Sequence, residues 1–131
     1  MRVVLFVHGL YQHKNIAFFK SFAHRIPAEL GLSTFRYDCR GLGESTGTAR
    51  YAPHYDYLAD LEAALGWLRG RGCEVACIFG YSAGANVAAL WAGGRGTGVP
   101  KVVCASGRFA MTGVLDTITE VSERCARLTL C

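Results

Sequence analysis

Four short apolar runs, each followed by a turn, set the limits on what this chain can become. Arg2–Val7 is apolar after its first residue and ends at His8-Gly9. Ser33–Tyr37 ends at Asp38, Cys73–Phe79 runs into Gly80-Tyr81-Ser82-Ala83-Gly84, and Lys101–Ala105 ends at Ser106. Continuous runs of this length predict strands covered on both faces rather than on one. Between them lie stretches with helical spacing. Over residues 16–30, Ile16, Phe19, Phe22, Ala23, Ile26 and Leu30 share one stripe and Gly31 is a stop signal, with Pro27 expected to disturb the last turn. Over Tyr55–Arg69 the stripe is Tyr57, Leu58, Leu61, Ala64, Leu65 and Leu68, and an alanine-rich helix is expected from Ala83 to Ala92 before Gly93-Gly94. Strand and helix alternate, so the expected fold class is α/β: four parallel strands joined by right-handed crossovers, with helices on both faces. Ligands in such sheets bind at the carboxyl ends of strands. His8, Asp38, Ser82 and Ser106 all fall there.

Composition narrows the function classes. A chain of 131 residues fits one domain. The net charge of +4 is spread thinly, with Arg69 and Arg71 the densest pair, so no nucleic-acid surface is expected. Val3–Val7 is far too short for a membrane span or signal sequence. The six cysteines include no C-x-x-C pair, and Cys77 and Cys104 sit in apolar runs. They read as reduced thiols, which predicts a cytoplasmic protein. No P-loop, dinucleotide fingerprint or zinc spacing occurs, so neither a cofactor nor a metal is expected.

The segment Gly80–Gly84 matches G-x-S-x-G. Its requirement is steric. A serine at the top of a strand, in a sharp turn before a helix, needs small neighbours two residues away so that the chain can fold back. The turn lifts the hydroxyl into the open over a helix N-terminus, whose free N–H groups suit an oxyanion. A tight turn with a capping serine would use the same residue types. The strand before and the alanine-rich helix after favour a nucleophile.

At this point the chain resembles the α/β-hydrolase superfamily, in particular its serine aminopeptidase-like and monoacylglycerol lipase-like esterases. His8-Gly9 resembles the HG of the family's oxyanion loop. Asp38-Cys39-Arg40-Gly41-Leu42-Gly43-Glu44-Ser45 resembles its D-x-R-G-x-G-x-S turn, and Gly80–Gly84 its elbow. Ala105–Phe109 is similar to the end of the family's sixth strand, so the resemblance spans residues 3–109. It implies Ser82 as nucleophile toward a small ester, a lipid ester or a peptide bond. It implies an oxyanion hole from the backbone N–H groups of Ala83 and Leu10, with Tyr11 the alternative to Leu10. His8 and Asp38 are implied to be structural, Asp38 anchoring backbone donors.

Acyl transfer by serine needs a base and a group that orients it. In this fold both follow the serine in the chain. His8, His13, His24 and His54 all precede Ser82. Residues 110–131 depart from the family pattern: Val114, Leu115, Ile118, Val121, Cys125 and Leu128 recur at helical spacing, and Asp116, Glu120 and Glu123 occupy the polar face. The expected organisation is a partial hydrolase core over 1–109 and a divergent, amphipathic helical tail over 110–131. The chain reads as a shortened serine hydrolase, poorly active alone. The alternatives are a non-catalytic binding or regulatory module that keeps the pocket, and an acyltransferase. An uncovered apolar edge at 101–105 is expected to favour self-association. Tyr11, Phe18 and Tyr81 are candidates for the wall of an acyl pocket.

Overall fold

A computed structural model describes residues 1–50, 53–94 and 96–108. The expected tail helix over 110–131 lies outside the described residues, as does Phe109. The central strand is β1 (Arg2–Val7), whose Leu5, Phe6 and Val7 are fully buried. It pairs in parallel with β2 (Ser33–Arg36) on one side and β3 (Glu74–Tyr81) on the other. β3 pairs in parallel with β4 (Val102–Ala105), which gives the order β2-β1-β3-β4. The chain therefore runs outward from β1 to β2, then returns to lay β3 on the opposite side of β1. The reversal opens a crevice at the carboxyl ends of β1 and β3.

The alternation of side chains along β1 explains why its sequence is apolar throughout. Val3, Leu5 and Val7 point to one face, where α2 (His54–Gly70) and α3 (Ala83–Gly94) supply Leu61, Leu65, Val87 and Trp91. Val4 and Phe6 point to the other, where α1 (Ala17–Leu30) supplies Phe19. Here Phe6 lies 4.9 Å from the Phe19 ring and 5.4 Å from the Phe79 ring. Each such buried side chain contributes about 1.5–3 kcal/mol.

Boundaries differ from the sequence reading in places. β3 was expected to end at Phe79, yet it runs two residues on, because Gly80 pairs with both Val7 and Cys104, and Tyr81 pairs with Ala105. The last residue of the α1 stripe, Leu30, is 64% exposed. The helix has passed the sheet there, and Gly31, in the left-handed region at φ 63°, closes it by donating its N–H to the Pro27 carbonyl at 3.1 Å. Pro27 itself lies inside α1 rather than ending it. Among the described residues, β2 and β4 each pair on one side, and Val103 of β4 is exposed. Cys39, Cys73 and Cys77 are free thiols. No described helix is long and apolar enough to cross a membrane, and no described group of side chains is arranged to hold a metal ion.

Candidate active site

Ser82 stands between β3 and α3 in the left-handed region, at φ 53°. For a residue with a side chain this costs on the order of 1–2 kcal/mol. Hydrogen bonds at both of its peptide groups offset the strain. Its N–H donates to the Ala105 carbonyl at the end of β4 at 2.9 Å, and its carbonyl accepts from Ala85 at 3.0 Å and Asn86 at 3.3 Å. The flanking glycines are required by contact. A Cβ on Gly80 would stand 2.6 Å from the Gly84 carbonyl carbon, and one on Gly84 would stand 2.6 Å from the His8 carbonyl oxygen. Gly84 is thus pressed against the end of β1, which brings the turn after β1 beside the serine: a Cβ built on Gly9 would lie 3.1 Å from Ser82 Cβ.

That turn is tightly bound. Gln12 donates its N–H to the Gly9 carbonyl at 3.2 Å, and its side-chain Oε1 accepts the Gly9 N–H at 3.1 Å. Tyr11 adopts the left-handed region at φ 52°. Among the described residues, the N–H groups of Leu10, Tyr11 and Ala83 have no hydrogen-bond acceptor. Ala83, the residue after Ser82, opens α3, so one of these donors stands at a helix N-terminus.

His8 is fully buried and committed at both nitrogens. Nδ1 donates to the Gly9 carbonyl at 2.8 Å, and Nε2 accepts the Cys39 N–H at 3.0 Å. The accepting role of Nε2 places the ring hydrogen on Nδ1 and keeps the imidazole neutral. Burial lowers its pKa below the ordinary 6.5, against the opposing pull of the Gly9 carbonyl and Asp38. With its acceptor nitrogen occupied, His8 has no lone pair to offer Ser82.

Asp38 organises the neighbouring loops. Oδ1 accepts the Lys14 N–H at 2.6 Å, and Oδ2 accepts the Lys14 ammonium at 2.8 Å and the Glu44 N–H at 3.0 Å. Burial alone would raise this carboxyl. The Lys14 and Glu44 donors outweigh it and hold the pKa below its ordinary value. Arg40 then fastens the loop to α2, donating from its backbone to Asp60 Oδ2 at 2.9 Å and from its guanidinium to Oδ1 at 2.7 Å.

The fold thus brings Ser82, Gly80, Ala83 and Gly84 beside Gly9, the residue before Leu10, at the crevice. It does not bring the other histidines to the serine. His13 accepts the Asn15 N–H, His24 is on the exposed side of α1, and His54 begins α2. No described side chain hydrogen-bonds the Ser82 hydroxyl. Of the three candidate wall aromatics, Tyr11 is 60% exposed on the loop, whereas Phe18 and Tyr81 pack edge to face at 4.7 Å against the aromatic cluster under α1. A concavity of about 390 Å³ between β2 and α2, lined by Phe35, Asp38, Arg40, Asp60 and Trp67, contains no elbow residue and lies away from the serine. Sequence reasoning missed Gln12, Tyr57 and Asn86, whose Oδ1 accepts the Arg108 N–H at 3.1 Å. The available signal for Gln12 was a side-chain acceptor three residues after a strand-ending glycine.

Residues 1–129 match the family model described as serine aminopeptidase, S33. The chain belongs to that family of α/β-hydrolases. Solved structures carry the same fold. Est1E from Butyrivibrio proteoclasticus, determined with ferulic acid bound, superposes with a TM-score of 0.73 at 18% identity, covering 82% of this chain and 43% of that one. The Pyrococcus furiosus esterase Pf2001 gives 0.71 at 20% identity, again covering 82% and 43%. The Paleococcus ferrophilus monoacylglycerol lipase gives 0.64 at 21% identity, covering 97% of this chain and 47% of that one. This S33-family chain therefore spans less than half the length of each of the three. No curated protein sequence matches it.

Proposed function

We propose that Ser82 is the nucleophile of a serine hydrolase acting on ester bonds, with the backbone N–H groups of Ala83 and Leu10 as its oxyanion hole. The observation that carries this reading is the left-handed elbow at Ser82, beside Gly9, in the crevice where the strand order reverses. Ser82 Oγ attacks the ester carbonyl carbon, and the negative charge gathers on the carbonyl oxygen. Two fixed N–H donors and the N-terminus of α3 stabilise that charge without reorganising. Collapse of the intermediate expels the alcohol, and water then releases the acid. An ester is favoured over a peptide bond because two of the solved relatives are an esterase and a monoacylglycerol lipase.

Proton transfer from Ser82 needs a base that His8 cannot supply. In this fold an acid and then a histidine follow the serine in chain order. A hydrolase of this type without its base retains roughly 10³–10⁴-fold acceleration over water. A fluorophosphonate probe tests the assignment. Ser82 is expected to be labelled in the wild type and not in Ser82→Ala. A folded wild-type protein that stays unlabelled over days at high probe concentration would remove the nucleophile and leave a binding module for acyl ligands.

A further inference from the structure

Gly9 has no side chain, and the space this leaves after β1 is approached from two sides. A Cβ built there would lie 2.7 Å from Gln12 Oε1, 3.3 Å from Gln12 Cδ and 3.1 Å from Ser82 Cβ. The Gln12 carboxamide and the serine therefore meet over one point. The turn explains how a residue three positions on reaches back. Gln12 donates its backbone N–H to the Gly9 carbonyl at 3.2 Å, and Tyr11, at φ 52°, reverses the chain between them. Gly9 is itself held, because the His8 ring donates to the same carbonyl at 2.8 Å. The carboxamide is fixed through one atom. Oε1 accepts the Gly9 N–H at 3.1 Å, and only the oxygen can answer an N–H, so the other terminal atom is the NH2 group. That bond is the only one the carboxamide makes among the described residues. Gln12 is half-buried, yet Nε2 is not one of the sealed, unpartnered side-chain atoms, so its hydrogens are open to solvent.

We infer that Gln12 is a catalytic residue whose Nε2 donates a hydrogen bond to the substrate's acyl oxygen, the one that gathers charge when Ser82 attacks. The group is neutral, so it leaves the crevice without a fixed charge, and its anchored oxygen aims it before substrate arrives, so little reorganisation is needed at the moment of reaction. It adds a side-chain donor to the backbone donors already proposed, and its preference is for an acyl or acid group with an exposed carbonyl or carboxylate oxygen. The catalytic sense of the inference rests on the nucleophile reading of Ser82, whereas the placement of a free amide donor beside that residue does not.

Gln12→Glu separates a donor from a mere staple of the turn. The glutamate can still accept the Gly9 N–H, but it puts a second carboxylate oxygen where the NH2 group stood. Gly9 amide exchange, followed by NMR on the full chain, should stay slow in this variant, while fluorophosphonate labelling of Ser82 at neutral pH should slow roughly ten- to hundredfold. Gln12→Met, which lacks both donor and strong acceptor, should speed Gly9 exchange and slow labelling together. A folded Gln12→Glu protein labelled at the wild-type rate overturns the inference. A second measurement needs no nucleophile. In Ser82→Ala titrated with butyrate, whose carboxylate carries the oxygens of an acid product, the side-chain NH2 signals of Gln12 should move with occupancy, and signals that stay still overturn the inference as well. If Gly9 loses its protection in Gln12→Glu, the titration alone decides. If wild-type Ser82 is never labelled, the nucleophile reading falls, and the titration again decides whether Gln12 is a donor.

Discussion

Gly84→Ala places a methyl group where backbone already stands. The new Cβ would lie 2.6 Å from the His8 carbonyl oxygen and 2.7 Å from the Val7 carbonyl carbon, with the Val7 oxygen closer still, whereas an ordinary contact begins near 3.4 Å. Relief requires β1 and α3 to part by the better part of an ångström. Neither can yield easily, because Val7 is fully buried in the central strand and pairs with Gly80. Overpacking of this kind costs about 1–3 kcal/mol, and obstruction by paired backbone puts this case at the upper end. Replacing a helical glycine by alanine returns about 1 kcal/mol. The net expectation is a loss of about 2 kcal/mol, or about 1 M in the urea midpoint followed by circular dichroism. Gly66→Ala is the control of opposite sign: Gly66 lies inside α2 with nothing within 4 Å of its Cβ position, so the midpoint should rise. A Gly84→Ala midpoint at or above the wild type would refute the claim that the elbow is wedged against the end of β1.

Ser82→Gly should stabilise the fold by about 1 kcal/mol, because glycine adopts φ 53° without strain, while abolishing probe labelling; a destabilised variant would contradict the strain argument. Acid should weaken the fold through His8. Burial depresses its pKa below 6.5, so the unfolded chain takes up a proton that the folded chain refuses. Stability should be full above pH 6.5 and decline as pH falls toward the lower folded value, and urea midpoints that stay level between pH 7.5 and 5.5 would exclude this linkage. Asp38→Asn should cost about 1–3 kcal/mol by replacing a carboxylate that binds Lys14 and Glu44, measured by thermal unfolding at neutral pH. Val103→Lys should reduce concentration-dependent association in sedimentation velocity, because it puts a charge on the open side of β4.

The layered architecture could be read from the residues because burial on both faces leaves a coarse mark: Val3–Val7 can be apolar without interruption only if helices cover each side of the sheet. The elbow was visible for a similar reason, since Gly80 and Gly84 answer a steric demand that few other turns make. What stayed hidden depends on single atoms. Nothing in the run His8-Gly9 reveals that the ring accepts a hydrogen bond from Cys39, 31 residues away. Gln12 and Tyr57 likewise look like a loop glutamine and one more apolar-face aromatic until the turn is folded. The extension of β3 through Gly80 was missed because glycine signals a break locally, whereas strands on both sides hold it in the ladder.

The hydrogen bond from the Ser82 amide to the Ala105 carbonyl ties the serine to the outermost of the described strands. The height of its hydroxyl above the sheet is therefore partly set by an edge rather than by its own bend alone. A further strand laid along the side of β4 that is unpaired among the described residues would restrain Ala105, and through that one carbonyl the backbone of Ser82.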